Sequence, residues 1–366
     1  MKEIHSSDLA VSGHLLNFDV LRLLFAVFVI FSHSFALLGF ADPVQALVRT
    51  TTPGGLGVDG FFLISGYLIT RSWVNDPSVG RFLARRMLRL YPGFIVASLV
   101  SVLIVGPLGA DAAQYFQDLD LGGFLRGLLL LHDPQTPRVF AGTPVETVNG
   151  SMWTISFEFR CYLVAMLCGC IGLLSRRRIV LVITLLVGVA ICYTVPESGP
   201  TDSQHQLFGL KALRVSDYMA WFAALFLTGS CFFLFRERIR YTLTGWVVAF
   251  AVLVWSLFYP EWLRPGVLLA GAYVVFGVAA MPALRRVRSG GYVDLSYGLY
   301  LYGWPVQKLL SWYWPNVTPW PMFCVTMMLC TGLAWLRWHL VEQPALRLKP
   351  GAAKRLRFRT ATADMA

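Results

Sequence analysis

The chain has 366 residues, of which 56% are hydrophobic and only 14% charged, and its mean hydropathy is +0.60. Soluble domains carry about 25% charged residues, so this composition excludes a water-soluble globular fold and predicts residence in a bilayer. The net charge of +11 would elsewhere point to nucleic acid, but in a polytopic protein Lys and Arg gather in cytoplasmic loops, and no nucleic-acid partner is expected.

A transmembrane helix needs about 20 apolar residues. Ten segments qualify: Leu15 to Phe40, Gly55 to Trp73, Pro92 to Ala110, Ser151 to Leu174, Ile179 to Val195, Asp217 to Phe235, Thr242 to Phe258, Pro265 to Pro282, Val293 to Trp314 and Trp320 to Leu340. The first carries Asp19 and Arg22 and has no small-residue cleavage site after it, so it reads as a retained helix and not a signal peptide. The apolar piece Leu121 to Leu131 is too short to span and is expected at the interface or as a re-entrant segment. An all-α, ten-span protein with a cytoplasmic start places 21 of the 31 Lys and Arg in inner segments and six in outer loops, which puts both termini in the cytoplasm. One membrane domain, 1–348, is followed by a basic cytoplasmic tail, 349–366, that serves as a topology anchor. Two outer loops, Asp111 to Gly150 and Pro196 to Ser216, are long enough to carry function.

The seven cysteines are odd in number and lie mostly inside apolar runs, which excludes a disulfide framework. Cys168-x-Cys170 has no second pair and no nearby His, so no metal is expected.

Ionisable groups inside spans are costly and mark pathways or sites. Arg22 and His33 are eleven residues apart, so they share a face of the first span about 16 Å apart along its axis, with Asp19 one turn below Arg22. His33 reads either as a packing histidine bonded to a neighbouring helix or as a functional imidazole above an ion pair. Asp59 lies near the outer end of a second span rich in small residues. Arg85, Arg86 and Arg89 sit on one helical turn and suit bidentate grip of a phosphate, although lipid headgroups or simple orientation would explain them as well. Glu158 is about two turns into the fourth span, where a buried carboxylate suggests a role with His33, while compensation by Arg160 is the structural alternative.

These residues fall into ordered motifs. Arg22 and His33 are separated by ten residues, and Gly57-Val58-Asp59 is followed by Phe61-Phe62 and Ser65-Gly66-Tyr67. Arg86-x-x-Arg89, Trp153 with Glu158 and Tyr162, Ser296-Tyr297 with Tyr300-Leu301 and Trp304-Pro305, and Glu342-Gln343-Pro344 complete the series. In this order and spacing, over most of the chain, the sequence resembles the acyltransferase family 3 membrane proteins, which move acyl groups, usually acetyl, onto sugars of bacterial surface polysaccharides. One departure is Gly303, where many relatives have a His before the late Trp-Pro. The chain ends near the last expected span, so the extracytoplasmic hydrolase-like domain that some relatives append is not expected here.

The resemblance implies a bacterial inner-membrane O-acyltransferase with acetyl-CoA as donor and a lipid-linked or polymeric sugar as outer-side acceptor. Polysaccharide assembly proteins are the implied partners. Arg85, Arg86 and Arg89 would hold the donor's phosphates and His33 would act as general base. Glu158 or Asp59 would orient the imidazole, and Arg22 would steady the pantetheine arm or the thioester oxygen. An acyl-histidine intermediate is an open variant. Two other readings stand beside this one: a transporter or flippase with a charged path in its first span, which inverted repeats would mark, and an accessory subunit with degenerate chemistry. No internal repeat is seen.

Overall fold

A computed structural model describes residues 4–5, 16–194, 204–206, 214–281 and 293–347. The basic tail, the loop holding Arg285, Arg286 and Arg288, and most of the outer loop Pro196 to Ser216 lie outside these residues. The regular structure of the described residues is helical apart from two short antiparallel ladders, β1 (Ile4–His5) with β4 (Arg240–Tyr241) and β2 (Gln204–Gln206) with β3 (Arg214–Ser216).

Each of the ten expected segments coincides with a helix over most of its described residues. Among the described residues, five are long and apolar enough to cross a bilayer: Phe18–Ala36 within α1 (Leu16–Ala36), α4 (Val79–Leu108), α9 (Asp217–Leu234), α11 (Pro260–Ala279) and α13 (Pro319–Leu346). The other five segments fall on α3 (Pro53–Asn75), α7 (Thr154–Cys170), α8 (Arg177–Thr194), α10 (Leu243–Ser256) and α12 (Ser296–Tyr313). Of these, α10 has only 14 residues, and α3 and α12 dilute their apolar side chains with Gly, Ser and Tyr. On α8 and α10, Val182, Leu186, Val189, Val247, Val248 and Phe250 are exposed, a surface suited to lipid and not to water.

The third segment departs from expectation. The helix starts at Val79 and not at Pro92, so the arginine turn belongs to the same rod as the apolar span. Pro92 lies inside it, as membrane helices tolerate, and a π turn follows at Ser101–Val105. The short piece is a ten-residue helix, α6 (Leu121–Leu130), which reaches only about 15 Å.

Contacts divide the chain into two units. The first comprises residues 1–35, 41–75 and 157–292. It contains the body of α1, the short α2 (Pro43–Val48), α3, most of α7, and α8 to α11. Here α3 is the central element, because its glycines allow backbone approach on two sides. A Cβ at Gly57 would sit 2.7 Å from the Phe25 carbonyl oxygen of α1, and one at Gly66 would sit 1.9 Å from the Phe226 carbonyl oxygen of α9. Gly229 of α9 returns the second contact, since its Cβ would meet the Leu63 carbonyl oxygen at 2.0 Å. Phe62 stacks on Phe222 at 4.0 Å and Thr70 bonds Ser230 at 2.8 Å, so the α3–α9 seam is both close and polar-matched.

The second unit comprises 36–40, 76–156 and 293–366. Its described helices are α4, α5 (Ala112–Asp118), α6, α12 and α13. Asp111 and Asp120 cap α5 and α6 by accepting from the Gln114 and Gly123 amides at 3.0 and 2.9 Å. Val105, Tyr115, Val139, Phe140 and Val148 form a small core that ties the long segment between α4 and α7 to the end of α4.

Candidate active site

The expected residues divide between the units. Arg22, His33, Asp59 and Glu158 belong to the first, and Arg85, Arg86 and Arg89 to the second.

In the first unit, α1 is unbroken from Leu16 to Ala36, so Arg22 and His33 share a stripe as expected. His33 is half-buried between two serines with different tasks. Ser32 Oγ accepts the Gly54 amide at 2.9 Å and so caps the start of α3, while Ser34 Oγ donates back to the Ile30 carbonyl at 2.9 Å. The imidazole therefore sits where α1 is fastened to the α3 N-terminus.

The two carboxylates hang from the same helical framework. Asp59 Oδ1 accepts the Trp221 indole N–H from α9 at 2.7 Å. Glu158 Oε1 accepts the Ser65 hydroxyl at 2.6 Å and the Tyr162 hydroxyl one turn along α7. The tyrosine of the Trp153, Glu158, Tyr162 motif is thus a carboxylate clamp, and Ser65 of the second-span motif is its counterpart across the seam. These bonds answer how Glu158 and Asp59 are held in a span: each is fixed by neutral donors of its own unit. Arg160 points elsewhere, exposed and stacked on Phe157 at 5.2 Å, so Glu–Arg compensation does not hold Glu158.

In the second unit, much of the arginine turn's charge is met by carboxylates. Arg85 Nη1 donates to Asp76 at 2.8 Å, and Asp76 also accepts from Arg81 Nε at 3.0 Å. Together the two guanidinia hold the Asp76 carboxyl down to about 2. Arg89 bonds Asp294 and lies 3.6 Å from Glu342, which accepts from Arg337 at 3.0 Å. The Tyr297 ring lies against both cations, 4.8 Å from Arg337 and 5.9 Å from Arg89, and its hydroxyl donates to the Leu90 carbonyl at 3.0 Å. Gly93 makes room, since a Cβ there would sit 2.7 Å from Arg337. Arg86 lies over the Phe82 ring at 5.9 Å. An anionic ligand fits this turn on one observation: Nε and Nη2 of Arg85 are buried with no acceptor among the described residues.

Sequence reasoning passed over Asp294 and Glu342 as partners of Arg89, and Arg337 as the second cation on Glu342. A buried Arg inside the last span was a signal, because such a charge requires a counter-charge nearby. It also passed over Lys308, fully buried in α12, whose ammonium donates to Thr143 Oγ1 at 2.8 Å and the Val145 carbonyl at 2.5 Å and so pins the loop before α7. The same loop is held where Asn149 Nδ2 donates to the Leu301 carbonyl at 3.0 Å and Ser151 Oγ to the Tyr300 carbonyl at 2.9 Å. Asn149 is 2% exposed, so both of these bonds are shielded from water.

A family model described as an acyltransferase domain matches residues 15–339. The chain belongs to this family, acyltransferase family 3. It is 24% identical to an O-acetyl transferase of Shigella phage Sf6 over 89% of this chain and 94% of that protein. It is 27% identical to nodulation protein 10 of Rhizobium leguminosarum bv. viciae, covering 94% and 96% of the two chains. A shorter stretch, 34% of this chain, is 33% identical to the acyltransferase MdmB of Streptomyces mycarofaciens. No solved structure matches. The acyltransferase is a membrane protein, and its family motifs coincide with the helix seams, caps and ion pairs described above.

Proposed function

We propose that this acyltransferase moves an acetyl group from cytoplasmic acetyl-CoA to a hydroxyl of an extracytoplasmic or lipid-linked sugar of a bacterial surface polysaccharide. The chain would cross the inner membrane ten times with both termini cytoplasmic, alongside polysaccharide assembly proteins. The observation that carries the reading is the family match over residues 15–339, joined to an imidazole and two neutrally anchored carboxylates within one unit. The full-length similarity to an O-acetyl transferase supports acetyl as the group and oxygen as the acceptor atom.

In this mechanism His33 takes the proton of the acceptor hydroxyl as its oxygen attacks the thioester carbonyl carbon. The tetrahedral intermediate collapses, the C–S bond breaks, and the CoA sulfur leaves with the proton that the imidazolium returns. Glu158, clamped by Ser65 and Tyr162, and Asp59, held by Trp221, stabilise the transient imidazolium. Arg22 steadies the thioester end of the donor. Arg85, Arg86 and Arg89 hold the donor's phosphates, and the acceptor-free nitrogens of Arg85 suit that task best.

The test is purified protein in nanodiscs given acetyl-CoA and the surface glycan of its host. Release of free CoA thiol with gain of acetyl methyl signals on the glycan is the expected result. Intact acetyl-CoA in the presence of acceptor would refute the proposal.

A further inference from the structure

A cleft of about 410 Å³ opens in the first unit, away from His33, Asp59 and Glu158 in sequence and built from residues other than Arg85, Arg86 and Arg89. One wall is the 3-10 turn Leu173–Ser175 with the first turn of α8, presenting Ser175, Arg176, Arg177, Arg178 and Ile179. The other is the turn after α9, presenting Phe235 and Arg238. Four guanidinia therefore face one small space.

Their compensation is incomplete. Glu237 lies 3.9 Å from Arg177 and is shared with Arg236 at 3.3 Å. Arg176, Arg178 and Arg238 make no ion pair among the described residues, in contrast to Arg85 and Arg89, which do. Positive-inside topology explains basic loops, but it needs only cations near a membrane surface and not cations from two separate segments around a common hollow. Like charges so placed repel until an anion enters. Two further features suit an anion. The first turn of α8 contributes helix N-terminal amides and the positive end of its dipole to the same wall. The Arg238 guanidinium lies over the Phe235 ring at 5.9 Å, so its plane is partly preset and fewer rotamers are lost on binding.

We propose that this cleft binds a ligand carrying two or more phosphate charges, either the headgroup of an anionic lipid or a soluble bisphosphate. Three unpaired guanidinia exceed what a single phosphate monoester neutralises, and the Phe235 ring offers an apolar face beside them. The proposal stands on the cleft alone and holds whether or not the acyl-transfer reading does.

The test uses the full-length chain carrying Arg85→Gln and Arg86→Gln, so that binding at the arginine turn does not mask the result. In phosphatidylcholine nanodiscs it is titrated with adenosine 3′,5′-bisphosphate; in a second arm, cardiolipin is added to the nanodiscs and retained lipid is counted by native mass spectrometry. Adding Arg176→Gln, Arg178→Gln and Arg238→Gln should weaken one of the two probes by about tenfold or more, and the matching Lys variants should restore most of it. Loss of the bisphosphate alone identifies a soluble ligand, and loss of cardiolipin alone identifies a lipid headgroup. If neither probe binds the parent chain, or both bind the Gln variant equally well, the proposal is overturned. Should the triple variant fail to fold, single Arg238→Gln, at an exposed position, gives the same comparison.

Discussion

Arg337 donates to Glu342 at 3.0 Å, with side-chain exposures of 2% and 0%, across the π turn Trp338–Glu342 of α13. The π turn places the carboxylate so that its other oxygen reaches toward Arg89 of α4 at 3.6 Å. With Asp294, two cations and two carboxylates close a neutral set in which Arg89 is a strut between α4, α12 and α13. Desolvating four charges is costly, and what makes such a set durable is that no member is left alone.

The network predicts a stability phenotype. Removing one member, as in Glu342→Gln or Arg337→Ala, should destabilise the fold by about 3 to 5 kcal/mol because a buried charge loses its partner. Thermal melting in detergent checks this. An unchanged midpoint for both variants would remove the structural role.

Donor recognition should separate within the arginine turn. Arg86→Ala should raise the KM for acetyl-CoA about tenfold with little change in melting, and a dephospho donor should respond less because the lost contact is to phosphate. Arg89→Ala should instead lower stability together with activity. Equal KM effects on both donors would assign Arg86 to topology or lipid contact.

For the chemistry, His33→Ala should abolish acyl transfer by about 100-fold or more while expression and insertion persist. Glu158→Gln, or Ser65→Ala combined with Tyr162→Phe, should lower kcat more than it raises KM for the donor. A well-expressed His33→Ala protein with full activity would reject the base assignment, and a pure KM effect at Glu158 would reject its link to the imidazole.

Asp76 gives a pH expectation. Its carboxyl is depressed from 3.8 to about 2 by Arg81 and Arg85, so the pairing contributes fully above about pH 4 and is lost as pH falls toward 2. Glu146, depressed from 4.5 to about 2 by Arg138 and the Gly142 amide, follows the same direction. Melting midpoints should therefore stay constant between pH 6 and 8, where both pairs contribute in full, and decline below about pH 4. Asp76→Asn should flatten part of that decline.

The helices were legible because each expected segment carries its own apolar run, and even the ten-residue α6 announced its shortness. Less legible was the start of α4: Pro92 reads as a boundary, yet the helix passes through it. The motif residues stood out in the sequence, but their partners did not, since Ser65 and Glu158 are 93 positions apart and Arg89 and Asp294 are 205. Local pattern carries no record of which distant donor meets which acceptor. Lys308 is the sharpest case: its burial depends on two oxygens from a loop more than 160 residues earlier.

The unbroken course of α4 has a mechanical consequence. Thirty residues make a rod of about 45 Å, longer than the roughly 30 Å hydrocarbon layer. Near one end stands the arginine turn, and near the other Ser101 and the Val102 carbonyl receive Asn149 and Tyr115 of the segment between α4 and α7. An axial push at the first end must reach the second undiminished, unless the π turn at Ser101–Val105 gives way and shifts along the helix. Paired spin labels beside Arg81 and on the segment between α4 and α7 would tell a stiff push-rod from one with a travelling crease.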